Sequence, residues 1–116
     1  MAKRARTRTD FAIEYAVEDE TLTQGMKAKV ADRIQRLAGG YKDIAGAAIA
    51  IENMKGTKRN ASYRCRLVLY IKPSNVVAVR KADTEAAALT EALDAAERQV
   101  RAQRERMRVQ YRTKTA

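Results

Sequence analysis

A chain of 116 residues is sized for one domain with a single core. Lys+Arg 24 against Asp+Glu 14 leaves a formal charge of +10. An excess of that size repels itself and points to a polyanionic partner, nucleic acid first. The absence of histidine excludes His-based acid/base catalysis and most zinc sites, and the lone Cys65 excludes a disulfide framework or a thiolate metal cluster. No apolar run approaches the roughly 18–20 residues of a membrane span.

In chain order, MAKRARTRTD is basic with no apolar segment behind it, which is not the pattern of a signal peptide. The acids from Glu18 to Glu20 follow too soon for a transit peptide. Residues 1–9 are expected to form a basic arm. Phe11, Ile13, Tyr15 and Val17 then alternate with smaller or charged residues, the period of a strand with one buried face. Thr21 with Gln24 three residues on predicts a capping box for the helix that follows. That helix carries Met26, Val30, Ile34, Leu37 and Tyr41 on one stripe and ends at Gly39-Gly40. On its flank stand Lys29, Arg33 and Arg36, with Lys27 nearby. Such a run is ordinarily a solvated face. Here Asp32 is the one acid between Lys27 and Arg36, so the flank is also a candidate anion site.

IAGAAIAI (Ile44 to Ile51) reads as a strand whose Gly46 and alanines predict close packing against it. A basic turn with Lys55, Lys58 and Arg59 follows. From Tyr63 to Ile71 apolar and polar residues alternate as a strand, with Cys65 on the apolar side and expected in the core. Lys72-Pro73-Ser74-Asn75 is a turn, and Val76 to Val79 begin the fourth strand. Asp83 is the expected N-cap of a long helix from Thr84 to about Arg108, roughly 37 Å at 1.5 Å per residue. Its apolar stripe is Leu89, Leu93, Ala96, Val100 and Met107, and its far half carries Arg98, Arg101, Arg104, Arg106, Arg108 and Arg112. Favourable charge at a helix C-terminus accounts for one or two arginines, hardly for six.

The order β-α-β-β-β-α predicts an α+β two-layer domain over residues 10–112, with a short tail at 113–116. The four strands make one sheet, and the right-handed crossover through the first helix makes strands one and two parallel. Both amphipathic helices are expected on one face, leaving Arg64, Arg66 and Tyr70 on the other. No phosphate-cradling loop or acid/base pair is evident, so the chain reads as a non-enzyme without metal, cofactor or small-molecule substrate. The candidate RNA-binding residues are Lys27, Lys29, Arg33 and Arg36 on the first helix with Arg98, Arg101, Arg104 and Arg108 on the last. The few aromatics fall largely on core positions, so contacts to phosphates and grooves of folded RNA are expected rather than stacked single strands.

In LTQGMKAKVADRIQRL (Leu22 to Leu37) and EALDAAERQVRAQRERMR (Glu91 to Arg108) the chain resembles the ribosome hibernation promoting factor family, also called ribosome-associated inhibitor or protein Y. Asp94, Arg98, Gln99, Arg104, Arg106 and Arg108 stand where members often carry the same or like residues. Thr84 and Ala86 depart from the Asp and Tyr common at the start of the last helix, and Ala95 and Ala102 replace common lysines. The resemblance implies a fold akin to double-stranded RNA-binding domains. It also implies a cytoplasmic translation inhibitor on the small ribosomal subunit, over the decoding centre, where it blocks mRNA and tRNA. The ending at Ala116 resembles the short form, which lacks the ribosome-pairing domain, and a monomer is expected off the ribosome. The rival reading is a free-standing structured-RNA or nucleoid-binding protein without ribosome preference.

Overall fold

The computed structural model describes residues 12–17, 23–54 and 63–115. The basic arm, Phe11, Thr21 and the turn at Lys55, Lys58 and Arg59 lie outside them. In chain order the elements are β1 (Ala12–Val17), α1 (Gln24–Ala38), β2 (Ile44–Asn53), β3 (Tyr63–Ile71), β4 (Val76–Ala82) and α2 (Glu85–Thr115). The strands lie in the order β1-β2-β3-β4. β1 runs parallel to β2, and the other two pairings are antiparallel. This is the expected two-layer α+β arrangement.

One face of the sheet carries the core. Ile49, Ile51, Cys65, Leu67, Leu69, Ile71, Val76 and Ala78 are buried there, at alternate positions of their strands. Against them pack Val30, Ile34 and Ala38 of α1 and Leu89, Ala92, Leu93, Ala96 and Val100 of α2. Burying one such aliphatic side chain contributes about 1.5–3 kcal/mol. No described helix lies on the opposite face. Arg66 is exposed there and Tyr70 is 41% exposed, while Arg64 pairs with Glu52 directly across the β2–β3 register. Gly46 answers to close packing: a Cβ would lie 3.3 Å from the Ala12 carbonyl oxygen of β1 and 3.5 Å from the Tyr70 ring.

The helix ends differ from expectation in instructive ways. α1 is capped by Thr23, whose hydroxyl accepts from the Met26 N–H at 3.1 Å. α2 is capped by Thr84, not Asp83, through the Ala87 N–H at 3.0 Å. In both cases the hydroxyl adjoins the first helical residue and reaches the N–H three positions on, the geometry that caps a helix. α1 closes at Gly39, in the left-handed region at φ 52, with its N–H donated to Gln35 O. That reversal takes Tyr41 off the apolar stripe predicted for it, and its side chain is 60% exposed. α2 runs on to Thr115, beyond Arg108. Its last core aliphatic is Val100. One turn later the buried Gln103 donates to Lys72 O at 3.3 Å, and Met107, expected on the stripe, is 45% exposed because no core lies beneath it.

Burial pushes the Cys65 thiol up to about 12, as removal from water disfavours the thiolate. Thiol reagents should therefore leave Cys65 unmodified in the native protein and react on denaturation, which mass spectrometry with and without urea would show. Cys65→Ser should cost about 1–3 kcal/mol by placing a hydroxyl in an apolar site, measured by urea titration. Rapid native labelling would contradict this account.

Candidate nucleic-acid interface

Two arginines tie the helices together. Arg33 of α1 reaches Asp94 at 2.9 Å and Glu97 at 3.0 Å, both on α2. Further along, Arg104 of α2 makes two bonds of 2.9 Å to the Asp43 carboxylate, and its third nitrogen donates to Leu37 O at 3.0 Å. Positions rise together along both helices from one contact to the next, so α1 and α2 run in the same direction. The Arg104 guanidinium also lies 3.8 Å from the centre of the Tyr41 ring. Arg104 is mostly withdrawn from water, its side chain 15% exposed. Its hydrogen bonds hold the Asp43 carboxyl below the usual carboxylate range against the opposing effect of burial. The Arg33 guanidinium is raised, first by its bond to Asp94, with burial working against it.

The candidate RNA-binding residues thus divide. Arg33 and Arg104 hold the scaffold. Arg36, Arg101 and Arg108 are exposed, and with Arg104, Tyr41 and Leu37 they line a groove of about 420 Å³ where α1 ends beside α2. Each of the three pairs with an acid on its own helix: Asp32 for Arg36, Glu97 for Arg101 and Glu105 for Arg108. Such exposed pairs contribute about 0–1 kcal/mol, so a phosphate can displace them at little cost. Lys29 and Arg98 are exposed and form no ion pair among the described residues. Lys27 is partly buried, 5.1 Å over the Tyr15 ring, and the Tyr15 hydroxyl donates to its carbonyl at 3.4 Å. Burial raises the Tyr15 phenol above its ordinary value. Lys27 sits roughly 13 Å along α1 from Arg36, away from the groove.

Sequence patterning overlooked Asp43 and Tyr41 as partners of Arg104, and Asp94 as a partner of Arg33. The separations of about sixty residues are beyond any helical or strand period. Tyr41 departs from its expected core position, whereas Tyr15 and Tyr63 pack against the core. Glu97 and Arg101, four residues apart on α2, form an ion pair at 3.1 Å. No group of metal-ligating side chains occurs among the described residues. No described helix is long and apolar enough to cross a membrane.

Residues 13–108 match the family model described as "Sigma 54 modulation protein / S30EA ribosomal protein". A ribosomal subunit interface protein from Coxiella burnetii superposes with a TM-score of 0.64 at 10% identity, over 82% of this chain and 99% of that one. The N-terminal domain of Thermus thermophilus Protein Y does so with a TM-score of 0.59 at 17% identity, over 80% of this chain and 94% of that one. At those identities the likeness establishes the fold. No curated protein matches the sequence significantly.

The two classes of arginine should separate by calorimetry. Arg104→Met strands the Asp43 carboxylate and should cost about 2–3 kcal/mol, whereas Arg101→Gln should cost less than about 0.5 kcal/mol. A folded carboxyl held low stabilises fully above the unfolded value near roughly 3.9 and loses that contribution as pH falls through the lower folded value. The stability gap between the wild type and Asp43→Asn should accordingly shrink below about pH 4. A gap that stayed constant into stronger acid would show that Asp43 is not held by Arg104.

Proposed function

The chain belongs to the sigma 54 modulation protein / S30EA ribosomal protein family, and from that premise we propose that it is a ribosome hibernation factor that binds small-subunit ribosomal RNA at the decoding region. The family is one of ribosome-associated, translation-modulating proteins, not a family of enzymes. The observation that carries the finer reading is the groove lined by Arg36, Arg101, Arg104 and Arg108 between two rigidly tied helices. A guanidinium presents a planar fork that takes phosphate oxygens in pairs, and it remains charged at any physiological pH. Arg104 is locked by Asp43 and Leu37, so it holds the groove's shape while its exposed neighbours exchange Asp32, Glu97 and Glu105 for phosphates. Lys29 and Arg98 extend the cationic surface outward. Bound in the cleft that mRNA and tRNA share, the domain inhibits translation by occupying space, without a chemical step. The protein acts in the cytoplasm as a monomer off the ribosome.

Sucrose gradients and cell-free translation test this. The wild type should co-sediment with small subunits and reduce translation. Arg101→Glu with Arg108→Glu should weaken binding more than about tenfold and flatten the log–log salt dependence by about 0.7–0.9 for each phosphate no longer neutralised. The melting temperature should move little. Reversal of Lys3 and Arg4 should have a much smaller effect. Undiminished co-sedimentation and inhibition by the double variant would move the interface elsewhere. Sedimentation of the wild type with bulk nucleic acid instead of subunits would favour a free-standing RNA or nucleoid binder.

A further inference from the structure

Tyr41 belongs to two adjoining grooves of different chemistry. One is the arginine-lined groove of about 420 Å³. The other, about 340 Å³, is lined by Tyr41, Lys72, Gln103, Arg104, Met107 and Arg108 and is largely apolar. Both volumes lie in the range of about 300–1,000 Å³ usual for small-ligand sites. Arg104 and Arg108 border both as well, so the two grooves adjoin along these three side chains. A ligand that fills both needs a flat apolar part joined to an anionic part.

The aromatic wall is held in place by the fold. The positive φ of Gly39 ends α1, and the Tyr41 N–H then donates to Ala38 O at 2.8 Å, which fixes the backbone beneath the ring. The Arg104 guanidinium covers part of the ring, itself pinned by Asp43 and the Leu37 carbonyl. Tyr41 as a whole is 60% exposed, beside the exposed and pliable Met107. A planar heterocycle laid on Tyr41 orders little new structure, and its attached phosphate falls to Arg36, Arg101 and Arg108. A third groove, about 660 Å³ between Pro73 and Val109, lacks this pairing: among the described residues that line it Arg106 is the one cation and none is aromatic.

We propose that the two grooves together take a single unstacked nucleotide, its base against Tyr41 and Met107 and its phosphate among Arg36, Arg101 and Arg108. This rests on the RNA-binding reading above and deepens it. Stacking on an aromatic ring tolerates any base, so the site selects an unpaired residue rather than a sequence. In folded RNA that residue is a bulged or looped-out nucleotide. A free nucleotide offers the same chemistry.

Fluorescence anisotropy of the full chain with two labelled RNA hairpins, one fully paired and one with a single-nucleotide bulge, tests the site, with AMP as competitor. The bulged hairpin should bind about tenfold tighter. Tyr41→Ala should bring the ratio of the two affinities close to one, and Tyr41→Phe should retain the preference. Arg101→Gln with Arg108→Gln should weaken both hairpins. Tyr41-dependent competition by AMP would support the same site with a free nucleotide as its source. Equal binding of the two hairpins without Tyr41-dependent competition, or a preference that survives Tyr41→Ala, would overturn the proposal. Either result would leave ribosome co-sedimentation, the test of the broader reading, unaffected.

Discussion

The contact on which most of this molecule depends is the one Arg104 makes with Asp43 and the carbonyl of Leu37. It joins α2 to the end of α1 and to the residue just before β2, which lie more than sixty positions earlier in the chain. Lysine could not replace it, because a point-like ammonium cannot satisfy a carboxylate in pairs and a carbonyl in a third direction. Arg33 repeats the tie nearer the start of both helices, through Asp94 and Glu97. Two ties at different heights oppose both sliding and splaying of the parallel helices. The proposed phosphate-binding surface spans both helices and relies on their being held in register.

This explains how a domain with a formal charge of +10 stays folded. Part of the positive charge is consumed internally, at Arg33 and Arg104, where partial burial strengthens the pairs and makes a missing partner costly. The remaining arginines pair with acids one helical turn away: Arg36 with Asp32, Arg108 with Glu105, and Arg101 with the half-buried Glu97 that Arg33 also holds. Those pairs relieve repulsion in the free protein and yield readily to a phosphate. The two kinds of arginine are the same residue type at similar spacing, and only depth distinguishes them.

The sheet contributes in another way. β4 is an edge strand. The Gln99 side chain of α2 donates to Val77 O at 3.1 Å, and Arg80 donates to Val79 O at 2.8 Å. Two carbonyls of the edge are thereby engaged by side chains, which makes that edge a poor template for another strand.

Much of the fold was legible in the sequence because it is written in short-range periods. Alternation over Tyr63 to Ile71, the stripe from Leu89 to Val100 and the Gly39-Gly40 stop each specify an element and its buried face. Handedness of the crossover then leaves one arrangement for β1 and β2. Charge density pointed to the two helices in the same way. What periodicity cannot carry is a contact between residues some sixty positions apart. That Arg33 and Arg104 turn inward, that Asp43 receives one of them and that Tyr41 faces water were decided by how the helices dock. Capping followed the same division: hydroxyls near each helix start were visible, but the choice of Thr23 and Thr84 depended on where the first turn closed. Local sequence determined the elements and the sign of the surface. The docking of those elements decided which charges serve the frame and which remain available to bind.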